Sequence, residues 1–150
     1  MPDVFTKAKR SEVMSRIRGR GNKETELALA RFFRHHHIKD WRRNQAVFGK
    51  PDFVFRKARL AVFVDGCFWH ACPWHGTKPK NNRAFWRRKL ASNTRRARLV
   101  GRTLRKAGWH VLRIWEHELN GLNETRLCRR IRAALSAERF PGSCWWFGSR

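Results

Sequence analysis

Between Ala61 and Gly76 the chain reads AVFVDGCFWHACPWHG, and most of its reactive side chains lie in or beside this run. Cys67, Cys72 and His75 form a Cys-x4-Cys-x2-His spacing. Three soft or borderline donors so close together suit a tetrahedral zinc site that needs one further ligand. His70, His110, His117 and Cys128 are the candidates for it. Asp52, directly after Pro51, is either a turn residue or a hard oxygen ligand for magnesium, an ion that activates water. Asp65 lies at the end of an apolar run. His70 carries an imidazole whose ordinary pKa suits a general base. Glu26 is a more distant acid, in the first turn of a predicted helix, where a carboxylate also complements the helix dipole.

These groups need elements to position them. Ala61–Val64 is apolar and β-branched, a buried strand broken by Asp65-Gly66. Pro51–Phe55 reads as a strand before it, with proline tolerated at its start. Arg56–Arg59 is too short for a crossover, so the two pair antiparallel. Asp52, the Val64 carbonyl, Asp65 and His70 are therefore expected at one edge of the sheet. Trp41–Phe48 reads as a further strand, with a turn at Gly49-Lys50. A helix with Asn22 as N-cap runs to about His36, with Leu29, Phe32 and Phe33 as its apolar stripe. The tract His35, His36 and His37 points in three directions and reads as a solvated helix end. Arg83 to Ala107, stopped by Gly108, is a long helix with Trp86, Leu90, Ala97, Val100, Leu104 and Ala107 on one face and many arginines on the others. Trp109–Trp115 is the last strand, and Asn123 to Ala137 a last helix with Cys128 inward.

A strand, a helix and a strand in this order make a crossover unit, so the strands at 61–64 and 109–115 should be parallel. Their carboxyl ends are then neighbours. Cys67 and His117 both lie just past those ends, whereas His110 lies at the opposite edge and Cys128 faces a core. His117 is thus the expected fourth zinc ligand.

Composition narrows the partner. Lys plus Arg number 35 and Asp plus Glu 11 among 150 residues, a formal charge of +24. Self-repulsion on that scale points to a polyanion, nucleic acid first. No apolar run approaches the roughly 18 residues of a spanning helix, and MPDVFTKAKR lacks the apolar centre of a secretion signal. The expected setting is the cytoplasm, on the nucleoid, with cysteines reduced. Eight Trp and eleven Phe without a Tyr suit a core and also stacking on bases beside arginine. The expected organisation is a basic arm over 1–20, one catalytic domain over 21–140 and a tail over 141–150.

Met14-Ser15-Arg16-Ile17-Arg18, Glu26, Gly49-Lys50-Pro51-Asp52-Phe53, Val64-Asp65-Gly66-Cys67-Phe68-Trp69-His70, Phe85-Trp86 and Gly108-Trp109-x-Val111-Leu112-x-Ile114-Trp115-Glu116 occur in this order. In them the chain resembles the very short patch repair endonucleases over about residues 5–120. The resemblance implies an α/β fold with a restriction-endonuclease-like (PD-(D/E)xK) core, a mixed sheet flanked by helices, and a structural zinc site. It implies a magnesium-dependent nick 5′ of the thymine in a T:G mismatch left by 5-methylcytosine deamination, made by a monomer on double-stranded DNA. By position, Asp52 and the Val64 carbonyl would hold magnesium and His70 would activate water, with Asp65 and Glu26 assisting. Cys67, Cys72, His75 and His117 would hold zinc. Phe68, Trp69 and Trp86 would form a wedge into the base stack, although Trp86 also lies on the apolar face of its helix. The wider superfamily carries an acid-x-lysine on its third strand, where this chain has Val62-Phe63-Val64, which shifts weight to His70. Some relatives carry histidine at the position of Asp65. Two alternatives stand beside this reading: a restriction or defence nicking endonuclease of the same fold without mismatch preference, and a non-catalytic zinc module binding nucleic acid by charge.

Overall fold

The computed structural model describes residues 25–76 and 79–137, with Thr6, Lys9 and Glu12 from the first 24. The arm over 1–20 apart from those three and the tail over 141–150 lie outside the described residues, as does Asn22, and the N-cap of the first helix is Thr25 and not Asn22. The elements are α1 (Glu26–His35), β1 (Trp41–Arg42), β2 (Phe53–Phe55), β3 (Leu60–Asp65), α2 (Arg83–Lys106), β4 (His110–Trp115) and α3 (Glu124–Ser136). Two 3-10 turns, Glu116–Leu119 and Gly121–Asn123, join β4 to α3.

The sheet order is β1-β2-β3-β4. β2 runs antiparallel to β3, turning back through Arg59, which takes a left-handed φ of 48°. β4 runs parallel to β3, as a crossover through α2 requires, with Leu60 beside His110 and Asp65 beside Trp115. The fold is mixed α/β, as expected from the sequence. Residue alternation along β3 sends side chains to two faces. Leu60 and Val62 join Leu29, Phe33, Phe53, Phe55, Ile114, Leu127 and Ile131 in the larger core, under α1 and α3. Ala61 and Phe63 join Val100 and Leu104 of α2 in a smaller one.

Three further expectations need correction. The strand at 41–48 ends at Arg42, because Asn44 takes a left-handed φ of 53° and the chain then turns through Val47 and Lys50. Trp86 and Ala107 belong to neither core: Val100 and Leu104 are buried, but Ala107 is exposed and Trp86 lies more than three turns before Val100. The histidine tract is not wholly solvated. His35 and His37 are exposed, but His36 donates through Nε2 to Glu124 Oε1 at 2.7 Å and so ties α1 to α3.

Phe33 is the hub of the larger core. It is fully buried, with ring centroids 5.1 Å from Phe53, 5.5 Å from Phe55 and 5.8 Å from Trp41. Phe33→Ala should cost about 3–5 kcal/mol of unfolding free energy, read by chemical denaturation. A change below 1 kcal/mol would show that this cluster is not the core on which the sheet rests.

Candidate active site and metal centre

Past the paired ends of β3 and β4, two segments lie side by side. Asp65 and Trp115 are register partners, and Cys67 and His117 each stand two residues further on. The loop after β3 folds on itself: His70 N–H donates to Gly66 O at 3.2 Å, Cys72 N–H to Cys67 O at 2.9 Å and Gly76 N–H to Cys72 O at 2.8 Å. Gly76 permits that last approach, because a Cβ there would lie 2.5 Å from the Cys72 carbonyl oxygen. Cys67 N–H donates to Glu116 Oε2 at 3.1 Å, and Asn93 of α2 donates to the Trp69 carbonyl at 3.1 Å. On the β4 side, Glu118 accepts from Trp115 N–H at 2.9 Å and pairs with Arg130 of α3, which fixes the turn carrying His117.

The donor atoms of Cys67, Cys72, His75 and His117 all lie within 4.8 Å of one another. His117 Nδ1 is 3.2 Å from Cys67 Sγ and 3.7 Å from Cys72 Sγ, and His75 Nδ1 is 3.9 Å from Cys72 Sγ. A zinc tetrahedron with ordinary Zn–S and Zn–N bonds has S···N edges of roughly 3.6 Å, so both the donor set and its spacing fit zinc. Burial, with Cys72 as a neighbour, pushes the Cys67 thiol up, and the His117 contact opposes this. Burial, with His75 as a neighbour, pushes His117 down. At neutral pH the thiol therefore holds its proton until a metal displaces it. About one zinc should co-purify per chain, and His117→Ala should lower both zinc content and melting temperature. Full zinc retention in that variant would remove His117 from the ligand set.

The acids form a second group. Asp52 follows a tight turn in which Gly49 and Lys50 take φ values of 77° and 53°. At Gly49 a Cβ would lie 2.2 Å from Val100, so glycine is needed for the close approach to α2. Asp52 N–H donates to Val62 O at 3.0 Å, and Asp52 Oδ2 accepts from Val64 N–H at 2.8 Å. This brings Asp52 to the end of β3 that carries Asp65. His70 Nε2 lies 3.7 Å from Asp65 Oδ1. Glu26, at the first position of α1, is buried and accepts from Arg43 Nη2 at 2.6 Å. Asp65 is buried and accepts twice from Arg113 Nη1, at 2.6 and 2.7 Å. Among the described residues no Lys or Arg nitrogen lies within 4.0 Å of Asp52, the one acid of the three without such a partner. Burial pushes its carboxyl up to about 6; the Val64 N–H pulls the other way, and the charges of Glu26 and Asp65 add to the rise. Burial likewise pushes His70 down and Arg113 adds to this, while Asp65 opposes it. A neutral imidazole can accept a proton from water, and the carboxylate beside it is Asp65, already paired with Arg113.

Arg43 and Arg113 were missed by the sequence reading. Nothing distinguishes Arg43 among so many basic residues. Arg113 did leave a signal, since a charged residue interrupts the apolar run Val111-Leu112-x-Ile114-Trp115.

The rings of Phe68, Trp69 and Trp86 are half-buried against one another, at centroid separations of 5.1, 5.2 and 6.0 Å. Phe85, 5.4 Å from Trp86, is exposed. All eight arginines of α2 at 83, 87, 88, 95, 96, 98, 102 and 105 are exposed along 24 residues.

The raised Asp52 carboxyl has a measurable consequence. A carboxyl with a higher pKa in the folded than in the unfolded state destabilises the fold while it is ionised, above about pH 6. That cost disappears as the pH falls towards the unfolded value of 3.8. Without divalent metal, Asp52→Asn should therefore raise stability at pH 8 by on the order of 1–3 kcal/mol, with the gain lost at pH 4. An equal gain at both pH values would contradict the burial argument.

Similarity to known proteins agrees with this geometry. The sequence profile of the DNA mismatch endonuclease Vsr family matches residues 2–78. The Type II nicking enzyme V.NaeI of Lentzea aerocolonigenes is 44% identical over 115 residues, covering 74% of this chain and 69% of its own. The Type II nicking enzyme V.NmeDIP of Neisseria meningitidis serogroup C is 38% identical over 135 residues, covering 89% and 90%. The DNA mismatch endonuclease Vsr of Escherichia coli (strain K12) is 32% identical over 142 residues, covering 92% and 90%. With a profile match over half its length and relatives covered nearly end to end, the chain belongs to the Vsr family of DNA endonucleases.

Proposed function

We propose that this chain is a divalent-metal-dependent nicking endonuclease that hydrolyses one strand of duplex DNA. Asp52 and the Val64 carbonyl would hold the metal, and His70 would take the proton of the attacking water. The observation that carries the reading is Asp52: a half-buried carboxylate with no Lys or Arg partner among the described residues, at the strand end that leads to His70. A hard oxygen ligand of this kind suits magnesium, which keeps several waters and binds substrate phosphate in its open positions. When bound, magnesium would polarise water and neutralise charge on the phosphoryl group. The water oxygen bonds to phosphorus as one P–O bond to a sugar breaks, and the departing sugar oxygen keeps the bonding pair and takes a proton from solvent. His70, kept neutral by burial, receives the water's proton. Glu26 and Asp65, each paired with an arginine, assist by holding their surroundings fixed. Zinc at Cys67, Cys72, His75 and His117 is structural, fastening the loop that carries His70.

The mixed sheet with helices on both faces supports a restriction-endonuclease-like core. The setting favoured by the relatives is the restriction-type nicking endonuclease, since several of them carry the name Type II nicking enzyme. A preference for T:G mismatches is the finer reading, supported by the aromatic cluster. A T:G wobble stacks less well than a Watson–Crick pair, so the rings of Phe68, Trp69 and Trp86 open that step at lower cost. The basic arm over 1–20 and the arginines of α2 grip phosphates of any sequence, as a monomer, with strong salt dependence.

Nicking of matched and T:G duplexes, with magnesium or with chelator, tests the reading. Asp52→Ala and His70→Ala should each abolish nicking while leaving duplex affinity nearly intact. Wild-type-like cleavage by Asp52→Ala would remove the metal assignment. Phe68→Ala combined with Trp69→Ala should erase any mismatch preference, since stacking is worth on the order of 1–3 kcal/mol per base. A folded double variant that keeps its preference would reduce these rings to packing.

A further inference from the structure

Arg113 sits in the middle of β4, between Leu112 and Ile114, beside Phe63 in the register. A guanidinium there is costly to desolvate unless its donors are used, and they are. Nη1 bonds both oxygens of Asp65 at 2.6 and 2.7 Å, and Nη2 donates to the Ala97 carbonyl of α2 at 3.3 Å. The guanidinium carbon lies 4.8 Å from the centre of the Phe63 ring. Asp65, only 6% exposed, also has His70 Nε2 at 3.7 Å from Oδ1. The result is a chain of contacts from the backbone of α2 through Arg113 and Asp65 to His70.

Both oxygens of Asp65 are taken by Arg113, so this carboxylate is not free in the way Asp52 is. Its rotamer is fixed by two short charged bonds and by a guanidinium that is itself anchored to α2. A carboxylate held beside Nε2 favours the imidazole tautomer with its proton on that nitrogen. The lone pair is then on Nδ1, facing away from Asp65.

We propose that Arg113 is a positioning residue for DNA cleavage. It acts through Asp65 to orient His70 with Nδ1 as the proton-accepting nitrogen, and Asp65 serves this task and not metal binding. This rests on the nicking reading given above. A residue that works in this way governs the rate of the chemical step and leaves the grip on DNA alone.

The test compares wild type with Arg113→Met, Asp65→Asn, the double variant, Arg113→Lys and Asp52→Ala. For each, single-turnover nicking is measured at saturating protein, together with duplex affinity and circular dichroism. Each of Arg113→Met and Asp65→Asn should slow nicking by roughly 10–100-fold, the size typical of an outer partner of a reacting group. Duplex affinity should stay within about threefold. Residues acting as one unit are non-additive, so the double variant should be no slower than the slower single. Arg113→Lys should recover most of the rate, because one ammonium can reach both Asp65 oxygens.

Additive losses, an undiminished rate in Arg113→Met, or a fall in duplex affinity that accounts for the rate would each overturn the proposal, the last by making Arg113 a phosphate contact. If Arg113→Met does not fold, Arg113→Gln, which keeps polar atoms but removes the charge, is compared with and without Asp65→Asn in the same way. Were wild type itself unable to nick with any divalent metal, the nicking reading would fail and this proposal with it. If wild type nicks, Asp52→Ala does not and Arg113→Met matches wild type, the proposal about Arg113 fails alone.

Discussion

The parallel pairing of β3 with β4 is the constraint on which the rest depends. Two strands far apart in sequence end side by side and parallel, joined by a crossover through α2. That register sets Asp65 beside Trp115, and two residues beyond each, Cys67 beside His117. It also sets Arg113 beside Phe63, from which it reaches Asp65. A one-residue slip would turn every side chain of β4 to the other face. It would separate both the sulfur–nitrogen cluster and the arginine–carboxylate pair. The metal centre and the acid group are therefore two consequences of one pairing, joined by the short loop between Cys67 and Gly76.

Electrostatics explains how a chain of charge +24 keeps three acids close together in a partly dry site. Two are neutralised locally, Glu26 by Arg43 and Asp65 by Arg113. The third, Asp52, has no Lys or Arg partner among the described residues, and burial raises its carboxyl to about 6. The surface charge has a different task. Arginines spread along α2 supply an even positive field, which attracts any duplex and carries no sequence information. The rings of Phe68, Trp69 and Trp86 form a separate, half-buried apolar cluster on the loop that also carries Cys67 and His70 and on the start of α2.

Much of this was legible in the sequence where local chemistry and topology agree. The apolar run before Asp65-Gly66, the crossover through a long helix and the short basic turn at 56–59 suffice to place β2, β3 and β4 in the order and directions observed. They also bring His117 to Cys67. What was not legible depended on tertiary context. The segment at 41–48 alternates well enough for a strand, yet Asn44 accepts a left-handed backbone and lets the chain turn early. Trp86 shares a helical face with Val100 and Leu104, but the sheet is too short to reach the first turns of α2, so its ring meets Phe68 and Trp69. The pairing of Glu26 with Arg43 has no local signature. The helix-dipole explanation of a first-turn acid was sufficient until burial and a 2.6 Å partner were seen.

The central claim is that one loop, anchored on the ends of two parallel strands, carries a sulfur–nitrogen metal centre on one side and presents His70 to a separate oxygen-ligated metal at Asp52 on the other. Crystals grown with zinc and soaked in manganese, a stand-in for magnesium with its own anomalous signal, would show both metals directly. The account predicts a zinc peak enclosed by Cys67, Cys72, His75 and His117 and a manganese peak at the Asp52 carboxylate, with Asp65 still turned to Arg113. Manganese bound at Asp65 with Asp52 empty, or zinc bound outside the four-residue cluster, would contradict it.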